Sequence, residues 1–406
     1  MQKGVKFDLN KSKKKVLGFT YTTPFLLTKT CTTENHDIRM LNNDIFYLLA
    51  LQAIEGIGDI HARKLIAHFG SAQEVLKEKP RALEKIKGIG PGLSGKFKNK
   101  KIFDIAEKEL CFTQTNNVEI ISYLDESYPL RLRECNDAPL ILFKKGNFEL
   151  KEQRIISIVG TRMMTSYGKR FLERFLADLK GYDPIIVSGL AYGVDICSHQ
   201  EALNNDLYTI GVLAHGFDRI YPKAHSKIAL KMLEYGGFYT EFCSGTKPEK
   251  MNFVKRNRIV AGVSEATIVV ESARKGGSLI TADLANSYYR DVFAVPGRAS
   301  DLYSEGCNML IKSNKAAMIT SAKDLEYILG WKKDEKKVNE LQQSLLIELN
   351  PDERIVFNRL KEYEKQVLDL LAPACKMSIQ KTVCILLQLE LKGLVKSLPG
   401  KWYQSY

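Results

Sequence analysis

Residues 252–282, NFVKRNRIVAGVSEATIVVESARKGGSLITA, hold the residue types an anion site needs. Lys255, Arg256 and Arg258 surround Asn257 just ahead of an apolar run. A strand-like TIVVES follows, and Gly276-Gly277-Ser278 opens a helix. Backbone N–H groups at a helix N-terminus point at an anion, and the helix dipole favours it. On a helix, positions 255 and 258 share a face while 256 points elsewhere. The trio therefore divides between ligand and internal ion pair, and Asn257 is placed to satisfy loop carbonyls. Ser278 reads as the helix N-cap, and the Ser278 and Thr281 hydroxyls can donate to phosphate. The chain has 406 residues and a net charge of +13. The polyanion that suits such a charge is nucleic acid.

Other loops repeat the chemistry. Gly160-Thr161-Arg162 follows a strand; glycine allows close backbone approach, and Arg162 can fork onto a phosphate. Ser188-Gly189-Leu190-Ala191-Tyr192-Gly193-Val194-Asp195 runs from a second strand into a helix. It is not the GxGxxG dinucleotide fingerprint, and no acidic residue ends the next strand as ribose binding would want. Asp195 is expected to order this loop, not to catalyse. Lys223, after Asp218-Arg219-Ile220-Tyr221-Pro222, can meet a phosphate, while Tyr221 can stack on a base or pack, core packing being the expectation. Val295-Pro296-Gly297-Arg298 closes the set. Each loop alone is weak. Their convergence on one sheet edge carries the argument.

The elements that must position these loops alternate. Strands are expected at 155–160, 185–189, 208–213, 238–241, 267–272, 291–297 and 316–320, with helical stretches between most of them. That pattern implies an α/β fold: an extended Rossmann-like, doubly wound, mostly parallel sheet over 116–331. Ligands of such sheets bind at the carboxyl ends of the strands. The stretch PLILFKKG, in the connector 118–150, reads as a strand joining that sheet. Residues 40–115 are helical and repeat a helix–GIG–helix unit at Gly56-Ile57-Gly58 and Gly88-Ile89-Gly90. This looks like paired helix-hairpin-helix motifs, whose glycines let N–H groups approach a DNA phosphate. Residues 332–348 are a charged linker. Residues 349–406 read as a winged helix, with Asn350 as N-cap and Pro351 at the first helical position. Residues 1–39 are expected to be a disordered extension. Threonines and Pro24 interrupt their apolar stretch, and no A-x-A site follows as a secretory signal would require.

Several classes are excluded. The eight cysteines include no CxxC pair and the six histidines no HExxH, so no metal site is expected. Scattered cysteines suit a reducing cytoplasm. No apolar run approaches ~18 residues, so no membrane partner is expected. No GxxxxGK[ST] occurs, and no cofactor is implied.

Taken together, the motifs resemble the DprA/Smf family of DNA-processing proteins. They are GTR (160–162), SGLAYGVD (188–195), DRIYP (218–222), RNRIVAGVSEATIVVES (256–272), GGSLITA (276–282), VPGR (295–298) and SEGCNMLI (304–311). The flanks agree: a helical SAM-like domain before, a winged helix ending LELKGLVKSLPGKWY after. Three positions depart from the family pattern: Val254 before Lys255, SNKAAM before the last strand, and His215. The resemblance implies non-specific single-stranded DNA binding, RecA loading during natural transformation, a homodimer and no catalytic residues. It carries the DNA pocket onto Arg162, Lys223 and Lys255 to Arg258, with Gly277, Ser278 and Thr281 lining it. Gly160, Thr161, Ser188 and Gly189 are the remaining candidates. Two alternatives stand beside it. One is a nucleotide-processing hydrolase, for which GGSLITAD offers only Asp283. The other is a duplex-DNA regulator acting through the winged helix, whose helix TVCILLQLELKG suits packing better than base reading.

Overall fold

Ile155–Val159 is buried at every position, as a strand covered on both faces must be. Its side chains alternate between two cores. Ile155 and Val159 join one apolar cluster, and Ile156 and Ile158 join the other. The structure is a computed structural model that describes residues 43–150, 154–333, 349–363 and 365–405. The expected extension 1–39 and all but the first two residues of the linker lie outside the described residues.

The chain from 117 onward builds a nine-stranded sheet. Its strands are β1 (Glu119–Ser122), β2 (Ile141–Gly146), β3 (Ile155–Val159), β4 (Ile185–Ser188), β5 (Thr209–Val212), β6 (Gly236–Thr240), β7 (Ala266–Val269), β8 (Asp291–Ala294) and β9 (Ala317–Met318). The spatial order is β1-β2-β6-β5-β4-β3-β7-β8-β9. From β6 to β9 every neighbour is parallel, while β1 and β2 add an antiparallel hairpin at one edge. β3 lies between β4 and β7, so the sheet grows outward from it in both directions. Such a reversal opens a crevice at the carboxyl ends of β3 and β7.

The expected strands are all found, with shifted ends: β7 and β8 each stop three residues early, and two others differ in more telling ways. β6 begins two residues earlier, at Gly236-Gly237. A side chain at either glycine would run into a neighbouring strand's carbonyl, that of Thr209 or of Lys145. Glycine pairs read as turns in a sequence, but here they let three strands close up. The last expected strand shortens to Ala317–Met318 at the sheet edge.

Residues 43–116 form a separate helical unit. Its helices are α1 (Asn43–Gln52), α2 (Asp59–Phe69), α3 (Ala72–Lys77), α4 (Pro80–Leu83), α5 (Pro91–Ser94) and α6 (Lys101–Thr115). The two GIG turns share one backbone conformation. Gly56 and Gly88 take positive φ (92° and 102°), and Gly58 and Gly90 are extended N-caps. Ile57 and Ile89 are both buried.

The sheet's helices are α7 (Leu130–Arg133), α8 (Ser166–Leu179), α9 (Val194–Asn204), α10 (Ser226–Met232), α11 (Lys250–Val263), α12 (Gly277–Ser287), α13 (Glu305–Lys312) and α14 (Lys323–Leu329). The C-terminal part holds α15 (Pro351–Tyr363), β10 (Lys365–Val367), α16 (Leu368–Ala374), α17 (Ile379–Leu391), β11 (Val395–Leu398) and β12 (Trp402–Ser405). Three helices and a three-stranded sheet in the order β10-β12-β11 make a winged helix. Asn350 caps α15 as its sequence suggests. Its Oδ1 accepts from the Glu353 N–H at 2.8 Å, and its own N–H donates to Glu353 at 2.9 Å, a reciprocal capping box. Among the described residues no single helix is long and apolar enough to cross a membrane.

Candidate anion-binding cleft

A cleft of about 610 Å³ opens at the carboxyl ends of β3 and β7. Four segments wall it: Gly160, Thr161 and Arg162 after β3, Ala191 and Asp195 at the entry to α9, one face of α11, and the turn from Ser272 into α12. Lys250, Phe253, Val254 and Asn257 recur at i, i+3, i+4 and i+7, the spacing of one helical face. Arg256 lies beside that face and reaches inward toward Gly189.

The floor is fixed by β7. The Thr161 N–H donates to the Glu271 carbonyl oxygen at 2.7 Å. The Glu271 carboxylate accepts from the Thr165 N–H at 2.8 Å and from the Thr165 hydroxyl. Thr165 in turn caps α8, accepting from the Tyr167 and Gly168 N–H groups. The Thr161 carbonyl takes the N–H of Val194, the first residue of α9. Gly193, at φ 78°, makes that junction, since a side chain there would meet the Thr161 carbonyl.

Arg256 is 5% exposed and Asp195 8%. The two carry opposite charges, yet the guanidinium stops 4.0 Å from Asp195 Oδ2, beyond hydrogen-bond reach. Its Nε has no partner among the described residues. Burial pushes the Asp195 carboxyl above its usual range, against the pull of Arg256 and the Ala191 N–H. Burial likewise pushes Arg256 below its ordinary value. A buried cation with donors left over is costly until an anion supplies acceptors. Asp195 also accepts from the Ala191 N–H at 3.3 Å, so it orders the loop as its position implied.

The other two cations of the trio face away. Lys255 lies 2.7 Å from Glu241 Oε2, and Arg258 donates to the same oxygen. Arg258 and Glu241 are buried; Lys255 is half exposed. The helical phase that pairs 255 with 258 and separates 256 is the one seen.

Ser188 and Gly189 also stand outside the lining. The Ser188 hydroxyl is buried and donates to the Ile158 carbonyl at 2.6 Å. Gly189 lies beneath Arg256, and its carbonyl contacts His199 Nε2 at 2.6 Å. Lys223 is exposed and starts a short 3-10 turn next to, not within, the lining. Gly160, Thr161, Arg162, Arg256, Asn257, Gly277, Ser278 and Thr281 all line the cleft. Ser278 is not the N-cap: Gly276 is, with no side chain to cap the helix. A side chain at 276 would strike the Ser272 hydroxyl, and Ser278 instead donates to that hydroxyl at 2.9 Å. The N-terminus of α12 therefore opens on the cleft without a side-chain cap, and the space beside Gly277 is empty.

Tyr221 is 46% exposed, not core, and its ring lies 6.1 Å from that of Phe253. Arg162 sits over the Phe253 ring at 5.3 Å. Tyr192 is also exposed, edge-on to His225. Phe253, Lys250 and Lys275 escaped the sequence reading. The i, i+3, i+4, i+7 spacing through Lys250, Phe253, Val254 and Asn257 was the available signal. Glu241 and Glu271 carried no local signal, because their partners come from other elements.

A doubly wound sheet with cations and an uncapped helix start at its switch point defines a Rossmann-type protein with a basic cleft. The model of the DNA recombination-mediator protein A family matches residues 119–329, and that of the DprA winged helix domain matches 342–401. Protein Smf of Synechocystis sp. is 30% identical over 90% of this chain and 100% of its own length. DNA processing protein DprA of Bacillus subtilis is 41% identical over 53% of this chain and 73% of its own. The X-ray structure of DNA processing protein A from Streptococcus pneumoniae superposes with a TM-score of 0.61 at 31% identity, covering 71% of this chain and 99% of that one. The chain belongs to the DprA/Smf family.

Proposed function

We propose that this protein binds single-stranded DNA without sequence preference, protects it during uptake, and helps load RecA, acting as a homodimer without catalysis. The observation that carries the binding reading is Arg256: buried, incompletely paired, and facing an open cleft. Phosphates would supply its missing acceptors, with the start of α12 and Arg162 beside it. Exposed rings next to phosphate-binding cations suit unstacked bases, which stack on any aromatic face. The relatives in Streptococcus pneumoniae and Bacillus subtilis are DNA processing proteins, which agrees with a DNA ligand.

Two observations disfavour the alternatives. Asp283, the acid a nucleotide hydrolase would need, pairs with Lys315 at 3.0 Å and does not line the cleft. On α17, Ile379, Val383, Leu387 and Leu391 are exposed at every fourth position, an apolar stripe with no base-reading donors. The deciding experiment is anisotropy of labelled oligo-dT over a salt series. Wild type should bind tightly with steep salt dependence, and Arg256→Ala should lose most of that affinity. Equal binding by a variant that melts like wild type would remove the cleft from DNA binding.

A further inference from the structure

The segment 79–101, KPRALEKIKGIGPGLSGKFKNKK, spans the second GIG turn and lies outside both family-model matches. It carries eight lysines and arginines against one glutamate, and all eight cations are exposed. Lys96 pairs with Glu55 at 3.1 Å. The other seven have no carboxylate partner among the described residues. Glu84, the segment's own acid, accepts a 2.7 Å hydrogen bond from the Ser94 hydroxyl. Nothing crowds the backbone at Gly90, Gly92 or Gly95, so a bulky surface can approach it. The first GIG turn has the same backbone but not the charge: Glu55 and Asp59 offset Arg63 and Lys64.

We propose that residues 79–101 form a second nucleic-acid site, which takes the phosphate backbone of duplex DNA. A dense field of unpaired cations favours a polyanion by releasing its counterions. The absence of stacking surface selects the duplex. Phe97 is the segment's one aromatic residue, and it is buried. The cleft, by contrast, has the Phe253 ring in its lining and the exposed Tyr221 ring 6.1 Å from it. Backbone contacts alone position a duplex, whose bases stay stacked, whereas unpaired bases seek ring faces. This site stands independently of the reading of the cleft.

The test uses the full chain carrying Lys85→Gln, Lys87→Gln, Lys98→Gln and Lys100→Gln together, with Arg256→Ala as comparator. Anisotropy is read with a blunt duplex, with oligo-dT and with phosphatidylserine vesicles over a salt series. The fourfold variant should bind duplex at least tenfold more weakly, with a log–log salt slope lower by roughly three. Its oligo-dT affinity should stay within twofold of wild type. Arg256→Ala should show the reverse pattern. Unchanged duplex binding, absent duplex binding by wild type, equal losses on both DNAs, or a preference for vesicles over duplex would each overturn the proposal. All four lysines are exposed and have no carboxylate partner among the described residues, so the variant should melt as wild type does.

Discussion

Gly189 lacks a side chain where Arg256 needs room. A methyl group at 189 would fall on the Arg256 guanidinium and on Asp195 Oδ2 together. The glycine of the SGLAYGVD motif thus shapes the cleft from beneath, without lining it. Gly189→Ala should push the guanidinium out of place. We expect oligo-dT affinity to fall by about ten- to a hundredfold, roughly 1.4–2.8 kcal/mol, at unchanged duplex affinity. Anisotropy reads both, and an unaltered oligo-dT affinity would separate Arg256 from the ligand.

Arg162 is exposed and rests on the Phe253 ring, so its removal costs little stability. Arg162→Ala should weaken all single strands about equally and lower the salt slope by about one unit. A variant with the wild-type slope makes no phosphate contact at 162. Comparing oligo-dT with a mixed sequence checks that the loss is uniform.

Lys255 and Arg258 meet one oxygen of Glu241, but at different depths. Arg258→Ala leaves a buried carboxylate short of its guanidinium, a loss of about 3–5 kcal/mol. Lys255→Ala removes a half-exposed partner and should cost less than about 1 kcal/mol. Urea unfolding followed by circular dichroism distinguishes them. Equal costs would mean that Glu241 is solvated.

His199 is fully buried between Thr209 Oγ1 and the Gly189 carbonyl, each at 2.6 Å. Burial lowers its pKa to about 4, against the opposing hydrogen bond to Gly189. The neutral ring donates from Nε2 to Gly189 and accepts from Thr209 at Nδ1. Below about pH 6.5 the unfolded chain binds a proton that the folded chain refuses. Stability from this group is therefore complete above about pH 6.5 and falls as pH drops toward about 4, by about 3 kcal/mol in all. Thermal melts of wild type and His199→Gln between pH 7 and 4.5 should converge as pH falls. Parallel curves would show that His199 is not the group titrating.

The alternation of apolar strands and helical stretches made the parallel sheet legible, because both faces of each strand are buried. The crevice at its edge followed from the glycine loops. The helical phase of 255, 256 and 258 foretold that the cations divide. It could not say which side takes the ligand, since Glu241 lies 14 residues upstream of Lys255 at the end of another strand. Ser278 reads in the sequence as an N-cap with a hydroxyl to spare for phosphate, and Ser188 as part of an anion-binding turn. Their hydroxyls are used by Ile158 and Ser272, partners that only the tertiary fold supplies. Of the two roles open to Tyr221, core packing does not hold, since the ring is exposed and lies 6.1 Å from that of Phe253.

Glu271 ties the loop after β3 to the strand across the switch point, through its carbonyl to Thr161 and its carboxylate to Thr165. A side chain at Gly168 would collide with that carboxylate, so α8 is seated against it as well. The two halves of the sheet are thus joined at the switch point by hydrogen bonds from one residue. On the proposed function, a cleft held in place by its own hydrogen bonds would take a flexible strand at little conformational cost to the protein.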